Sequence, residues 1–332
     1  MLGRVSQQVL TLLQLTRMAL VFTALSNGLA ALALRQPAGQ VWSVDRTLVL
    51  GVSLVAIGLY GFGMTMNDII DRRRDRQIAR TRPLPSGRIR PATATLLAIL
   101  LLGLAMFGGW LIFRHTPERS AGIASLVLVA LTAVLITAYD LLGKYLVWVG
   151  LLLLGLVRFF HATVADPTLT VVWHPLWLMN HVAIISAVAY RWEAKRPSFS
   201  RNQVLLLAGG LTIMNVGLVT ALFLRRGAGF AESLHISPGL IGPVVAAIAF
   251  VVVGRLIRQG SNDRRAAGKG LILFGLLWLI LYDALFVAGY VDVWAGLLLL
   301  VLLPMAYFAV RLMRVWSSMT ELAHKPQYIR AP

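Results

Sequence analysis

Long apolar runs separated by short polar punctuation govern this chain, and their lengths predict membrane-spanning helices. The runs lie near 10–34, 47–68, 92–113, 120–140, 144–165, 172–192, 203–224, 238–257, 270–288 and 291–312. Each is close to the ~20 residues that carry an α-helix across the hydrocarbon core. The last break rests on Gly289, Tyr290 and Asp292 as a turn. Reading through it gives nine spans instead of ten. The pattern predicts an all-α, polytopic membrane bundle of about ten helices, alternatively nine, forming a single domain over residues 1–332 with no repeat of clear period and no low-complexity linker.

Composition supports that reading. The chain is 58% hydrophobic and only 13% charged, whereas soluble domains carry about 25% charge. Its 332 residues include no cysteine, which excludes disulfide and thiol chemistry. A net charge of +18 suggests nucleic acid only in a soluble protein; here it fits loops held on one side of a lipid bilayer. Ten spans with the N-terminus inside place 24 of the 31 Lys and Arg residues in segments on one side and six on the other, with Arg158 within a span. The basic tail then falls inside as well, as the positive-inside rule requires. The first apolar run is too long for a cleavable signal and reads as the first span. The expected location is an integral membrane, the bacterial inner membrane, with the N-terminus and the main polar loops cytoplasmic.

One polar stretch departs from topology signalling. In Met66-Asn-Asp-Ile-Ile-Asp-Arg-Arg-Arg-Asp75, Asp68, Asp71 and Asp75 are spaced i, i+3, i+7, which on a helix keeps them within about 60° of one another. Three carboxylates on one stripe repel unless a cation joins them. Hard divalent ions such as Mg2+ take carboxylate oxygens and leave positions for phosphate oxygens. Eight arginines from Arg72 to Arg90 add forked donors suited to phosphate. The alternative is a solvated, topology-setting loop, but three acids on one face where a span ends favour a site. The segment from Arg80 to Arg88 contains two prolines and a glycine within five residues, so it forms a loop able to fold back over the acidic face and bring Arg80, Arg82 and Arg88 to the same ligand.

The pattern Asn67-Asp68-x-x-Asp71-x-x-x-Asp75, followed by Thr81-Arg82-Pro83-Leu84-Pro85-Ser86-Gly87-Arg88-Ile89, resembles the UbiA superfamily of intramembrane prenyltransferases. Tyr139-Asp140-x-x-x-Lys144 also matches a tyrosine and lysine that members often carry in the loop after the fourth span. The resemblance implies a helical bundle with a central cavity, two aspartate-rich motifs at its cytoplasmic mouth, and Mg2+ bridging them to a prenyl diphosphate. Cations aimed at the departing diphosphate would lower the barrier, and an apolar interior would shield an allylic cation from water.

The second motif departs from the family pattern. Ala187, Tyr190, Glu193 and Pro197 stand where acids and a tyrosine are expected; Tyr190 fits, Glu193 stands for one acid, and two acids are missing. Arg191 and Lys195 offer fixed positive charge in place of a second ion, or else pair with Glu193. Tyr-x-x-Glu combined with a late acid, Asp283, is similar to an EboC-like branch of the superfamily.

Other polar residues lie within apolar runs. Arg17 and Asn27 in the first run are candidates for the cavity mouth and wall, with snorkelling and helix packing as the alternatives. Asp140, Arg158 and Asp283 are costly in lipid and should face the bundle interior, where either acid could pair with Arg158. His161, Asp166, His174, Asn180 and His181 match no zinc spacing.

These residues lead to two expectations. The first is a Mg2+-dependent transferase that moves an isoprenyl group from a prenyl diphosphate to an aromatic or other lipophilic acceptor. Asp68, Asp71 and Asp75 hold metal, Asn67 orients that shell, Arg82, Lys144, Arg191 and Lys195 clamp diphosphate, and Tyr190 and Asn27 bind substrate. Glu193 serves a second metal or positions the acceptor. The alternative is a non-catalytic carrier for a prenylated or aromatic precursor. A CDP-alcohol phosphotransferase would need a DGxxAR-type pattern that is absent.

Overall fold

A computed structural model describes residues 2–37, 39–143 and 145–323. The helices are α1 (Leu2–Leu15), α2 (Val21–Leu34), α3 (Arg46–Ile78), α4 (Pro91–His115), α5 (Arg119–Leu142), α6 (Val147–Thr163) and α7 (Trp173–Trp192), followed by α8 (Arg201–Arg226), α9 (Phe230–Ser233), α10 (Ile241–Gln259), α11 (Arg264–Tyr290), α12 (Val293–Leu300) and α13 (Leu302–Ala323). No strand occurs among the described residues. Every apolar run named above is helical over most of its length.

Among the described residues, seven helices are long and apolar enough to cross a membrane, and eight if the pair Gln8–Leu15 and Met18–Leu34, bent by 58°, counts as one. The expected total of ten, or nine, is therefore not reached on length and composition. Two segments account for most of the difference. Helix α6 has only 17 residues. Helix α7 is diluted by His174, Asn180 and His181, with both histidines buried against other helices rather than facing lipid.

Helix α2 stands at the centre. Its alanines and glycine let α3, α6, α11 and α13 approach it closely, as small residues do in membrane bundles, where close packing replaces hydrophobic driving force. The most extensive contact joins α3 and α4. A Cβ on Gly58 would lie 2.6 Å from the backbone nitrogen of Ala105, and one on Gly108 would lie 2.6 Å from the Gly51 carbonyl oxygen. Helices α7 and α11 run antiparallel, with Gly275 facing Ile185 and Gly268 facing Glu193. By contrast, α8 and α10 each bury only three residues. The predicted break near residue 290 is present: α11 ends at Tyr290, and the Asp292 side chain caps the next helix by accepting from the Ala295 amide at 2.8 Å.

Candidate functional site

Helix α3 does not stop where its apolar run stops. It continues ten residues past Asp68 to Ile78, so the acidic stripe is displayed on regular helix. Asp68 and Asp75 are buried and Asp71 partly so. The following loop folds back as its prolines and glycine predict. Leu84 and Ile89 bury against Leu15 and Ala94, and Gly87 takes the left-handed conformation at φ 77, which glycine adopts at no steric cost. Arg88 ties the loop down by donating to the Gln14 side chain at 2.9 Å and the Thr81 carbonyl at 2.5 Å.

That fold places Arg82 on the stripe. Its Nη1 lies 2.5 Å from Asp75 Oδ2 and 3.8 Å from Asp68 Oδ1, so one cationic nitrogen serves both carboxylates. Asp68 Oδ1 also accepts from Arg17 Nη2 at 3.2 Å. Arg17 sits in the break between α1 and α2 with left-handed backbone (φ 46, ψ 39). Its carbonyl accepts from the Tyr60 hydroxyl at 3.0 Å, so both ends of this residue are tied to α3. Arg17, Asp68, Arg80, Arg82 and Arg88 line a cavity of about 760 Å³, closed on the far side by Leu273 of α11 and by Val310, Met313 and Arg314 of α13. Tyr139, at the end of α5, lies within electrostatic reach of Asp71, Asp140 and Arg17, which brings the third motif to the same place. Lys144 lies outside the described residues.

The chemistry of this donor set suits a hard divalent cation. Two buried carboxylates converge on one positively charged nitrogen, the arrangement that a metal ion bridging them needs. Among the described residues, no three His, Asp or Glu side chains stand together as a ready-made cage. Asp68 and Asp75 are directed to arginine, and Asp71 stands on the same helix face.

The second wall is arranged differently. Glu193 pairs with Lys195 at 3.2 Å, the pairing alternative raised by the sequence, and Arg191 is exposed. The Tyr190 hydroxyl donates to the Pro197 carbonyl at 2.7 Å, and the tyrosine is within electrostatic reach of Arg74 on α3. Asn67 sits half-buried beside Asp68. Asn27 departs from its expected place. It is fully buried, its Oδ1 accepts from His161 Nδ1 at 3.0 Å, and it is not among the residues lining the cavity. Its helix turns that face into the bundle.

Deeper inside, Arg158 donates to the Thr23 hydroxyl at 3.1 Å. Asp283 pairs with His174 at 2.7 Å rather than directly with Arg158. Arg17, a candidate for the cavity mouth, lines the cavity, whereas its hydrogen bond to Asp68, the Arg88–Gln14 contact and the closure by α13 were not expected from the sequence. A lone arginine within the first apolar run was the only signal for any of them.

The fold and this mouth place carboxylates and guanidinium groups together at one end of a membrane helical bundle. The sequence profile of the UbiA prenyltransferase family matches residues 19–187, just over half of the chain. The chain belongs to the UbiA prenyltransferase family. It is 37% identical over 119 residues to a Pseudomonas putida protein named protoheme IX farnesyltransferase 1, covering 35% of this chain and 38% of that one. It is 40% identical over 92 residues to a Penicillium brasilianum protein named polyprenyl transferase prhE, covering 26% of this chain and 28% of that one. These alignments span well under half of the relatives' length. A solved structure of digeranylgeranylglyceryl phosphate synthase shares the fold with a TM-score of 0.57 at 19% identity, covering 86% of this chain and 99% of that one.

Proposed function

We propose that this protein is a Mg2+-dependent intramembrane prenyltransferase, moving an isoprenyl group from a prenyl diphosphate to a lipophilic acceptor. The observation that carries this reading is Arg82 bridging Asp68 and Asp75 on the wall of a cavity ringed by further arginines. Asp68, Asp71 and Asp75, with Asn67 beside them, hold the ion, which when bound would neutralise charge on the diphosphate. Arg17, Arg80, Arg82 and Arg88 supply forked donors to the phosphate oxygens, joined by Lys144 through the family resemblance. As the bond from the allylic carbon to diphosphate oxygen breaks, the electron pair leaves with diphosphate, and these guanidinium groups stabilise the growing charge. The acceptor's electron pair forms the new bond to that carbon, and the acceptor then loses a proton. Leu273, Val310 and Met313 supply an apolar wall that would shield the carbon undergoing attack from water.

The bundle end that bears the stripe is taken as cytoplasmic in a bacterial inner membrane, supported by the positive-inside bias of the sequence. Placement in an EboC-like branch rests on Tyr190, Glu193 and Asp283 alone. A second reading, a non-catalytic carrier, is favoured by the Glu193–Lys195 pair, which replaces acids on the second wall with a neutralised couple.

Purified protein incubated with Mg2+, a prenyl diphosphate and a panel of acceptors that includes protoheme and small phenols distinguishes the two. The enzyme releases diphosphate and forms a prenylated product, and Asp68→Ala abolishes both. Saturable acceptor binding without diphosphate release across the panel would establish the carrier instead.

A further inference from the structure

A second cavity of about 740 Å³ lies away from the acidic stripe, between α7 and α10 with α11 as its floor. It shares no lining residue with the first. Lining residues on α7 run from Trp173 to Trp192, a length of about 28 Å, close to the thickness of the hydrocarbon core. Ile184 and Val251 stand exposed at the rim, so the groove opens sideways. Its body is apolar, with Ile185, Phe250 and Leu271 buried at the floor.

Besides His181 and Tyr282, whose polar atoms bond to the Gly275 carbonyl and to each other, the polar groups sit in three places. At the far end, the indole nitrogen of Trp173 is buried without a hydrogen-bond partner. Halfway along, Asn180 and Asn215 exchange amide hydrogen bonds at 2.8 and 3.0 Å, pinning α8 to the rim and leaving the groove open beside it. At the other end, Arg255, Arg258 and Gln259 on the last turns of α10 point into the groove. That end is the one bearing the acidic stripe, since α10 leads directly into α11, whose Leu273 meets the Asp68 cavity. No aspartate or glutamate lines the groove.

The geometry points to a binding site for one anionic membrane phospholipid, its phosphodiester on Arg255 and Arg258 and an acyl chain lying along α7 toward Trp177. Two guanidinium groups i and i+3 apart on one helix face match a phosphodiester at the headgroup level, where basic side chains attract anionic lipid. The lateral opening admits a chain directly from the bilayer. With no carboxylate to hold a divalent ion, the groove lacks the means by which the first cavity meets a diphosphate.

Gly254 lines the groove, and a Cβ there would meet only Leu271 Cδ1, at an ordinary 3.6 Å. A larger side chain at this position therefore fills the groove without crowding the backbone or changing charge. Delipidated protein, titrated with phosphatidylglycerol or phosphatidylcholine of identical acyl chains and read by native mass spectrometry, tests the assignment. Wild type is expected to retain one phosphatidylglycerol with about a thirtyfold preference. The Arg255→Gln/Arg258→Gln double variant loses the preference, and Gly254→Leu loses the bound lipid. Equal retention of the two lipids by wild type overturns the proposal. So does undiminished phosphatidylglycerol on Gly254→Leu, which would mean charge attraction at the surface alone. Tighter retention of geranylgeranyl diphosphate than of phosphatidylglycerol by wild type, lost in Gly254→Leu, would assign the groove to the isoprenoid and overturn it as well.

Discussion

Arg17 and Asp68 join the first break in the chain to the acidic stripe: the guanidinium of a residue in left-handed backbone donates to a buried carboxylate 51 positions later, at 3.2 Å. A non-glycine residue in that conformation is uncommon and persists only where its surroundings fix it. Here the fixing contacts are the Tyr60 hydroxyl on its carbonyl and Asp68 on its side chain.

In the proposed function, Arg17 and a bound metal ion would compete for the same Asp68 oxygen. Replacing it with glutamine (Arg17→Gln) removes the competitor while Arg82 remains. The pair is partly exposed and contributes up to about 1 kcal/mol, so Mn2+ affinity, followed by electron paramagnetic resonance of the free ion, should rise about fivefold. Unchanged or weaker Mn2+ binding would show that Arg17 does not oppose the ion.

The His174–Asp283 pair is sealed inside the bundle, with side chains 1% and 0% exposed, and Asp283 Oδ2 has no hydrogen-bond partner. His174→Ala leaves a buried carboxylate uncompensated and should cost about 3–5 kcal/mol of stability. Replacing both residues with leucine should cost much less, because a buried polar pair exchanged for packed hydrocarbon is often close to neutral. Thermal unfolding in detergent of the two variants gives the comparison. Equal losses would contradict it.

Two glycines of the first half should respond with opposite sign. At Gly58 a Cβ would collide with the α4 backbone at 2.6 Å, so Gly58→Val should destabilise by about 1–3 kcal/mol or more. At Gly103 nothing lies within 4 Å, so Gly103→Ala should gain up to about 1 kcal/mol through helix propensity. An unchanged or raised melting temperature for Gly58→Val would refute the close approach of α3 and α4, and a lowered one for Gly103→Ala the open space at that position.

At the opposite end of α3, Asp45 caps the helix, accepting from the Thr47 amide at 2.7 Å, and stands 2.9 Å from His115 Nδ1. The amide of Thr47 holds its carboxyl below the ordinary aspartate value. A group depressed on folding contributes fully above its unfolded value, and the contribution disappears as pH falls through the folded one. Exchange protection of the Thr47 amide, relative to an interior α3 amide, should fall in that acid range in wild type and show no such step in Asp45→Ala.

The acidic stripe and its loop were legible in the sequence because both are local. Spacings of three and four residues set a helix face, and prolines with a glycine set a reversal, without reference to distant segments. Helix ends were less so. Hydropathy located the end of the second span near residue 68, but the helix runs to Ile78 because Asp, Arg and Gln residues continue a helix as well as apolar ones do. Partners separated by long stretches were illegible. His174 and Asp283 lie 109 positions apart, and only the antiparallel packing of α7 on α11 brings them together. Asn27 carried the right chemistry for a cavity wall, but its side chain reaches His161 instead. No periodicity in a short alanine-rich helix foretells that choice.

The length of α3 carries a further consequence. Its 33 residues extend about 50 Å, some 20 Å more than the hydrocarbon layer is thick. The surplus lets the turns that carry Asp71 and Asp75 stand like a mooring post at the waterline. In the proposed function, a ligand with a greasy tail and a charged head would tie up there with its head still wet, so that neither partner has to drag full charges into oil before the encounter.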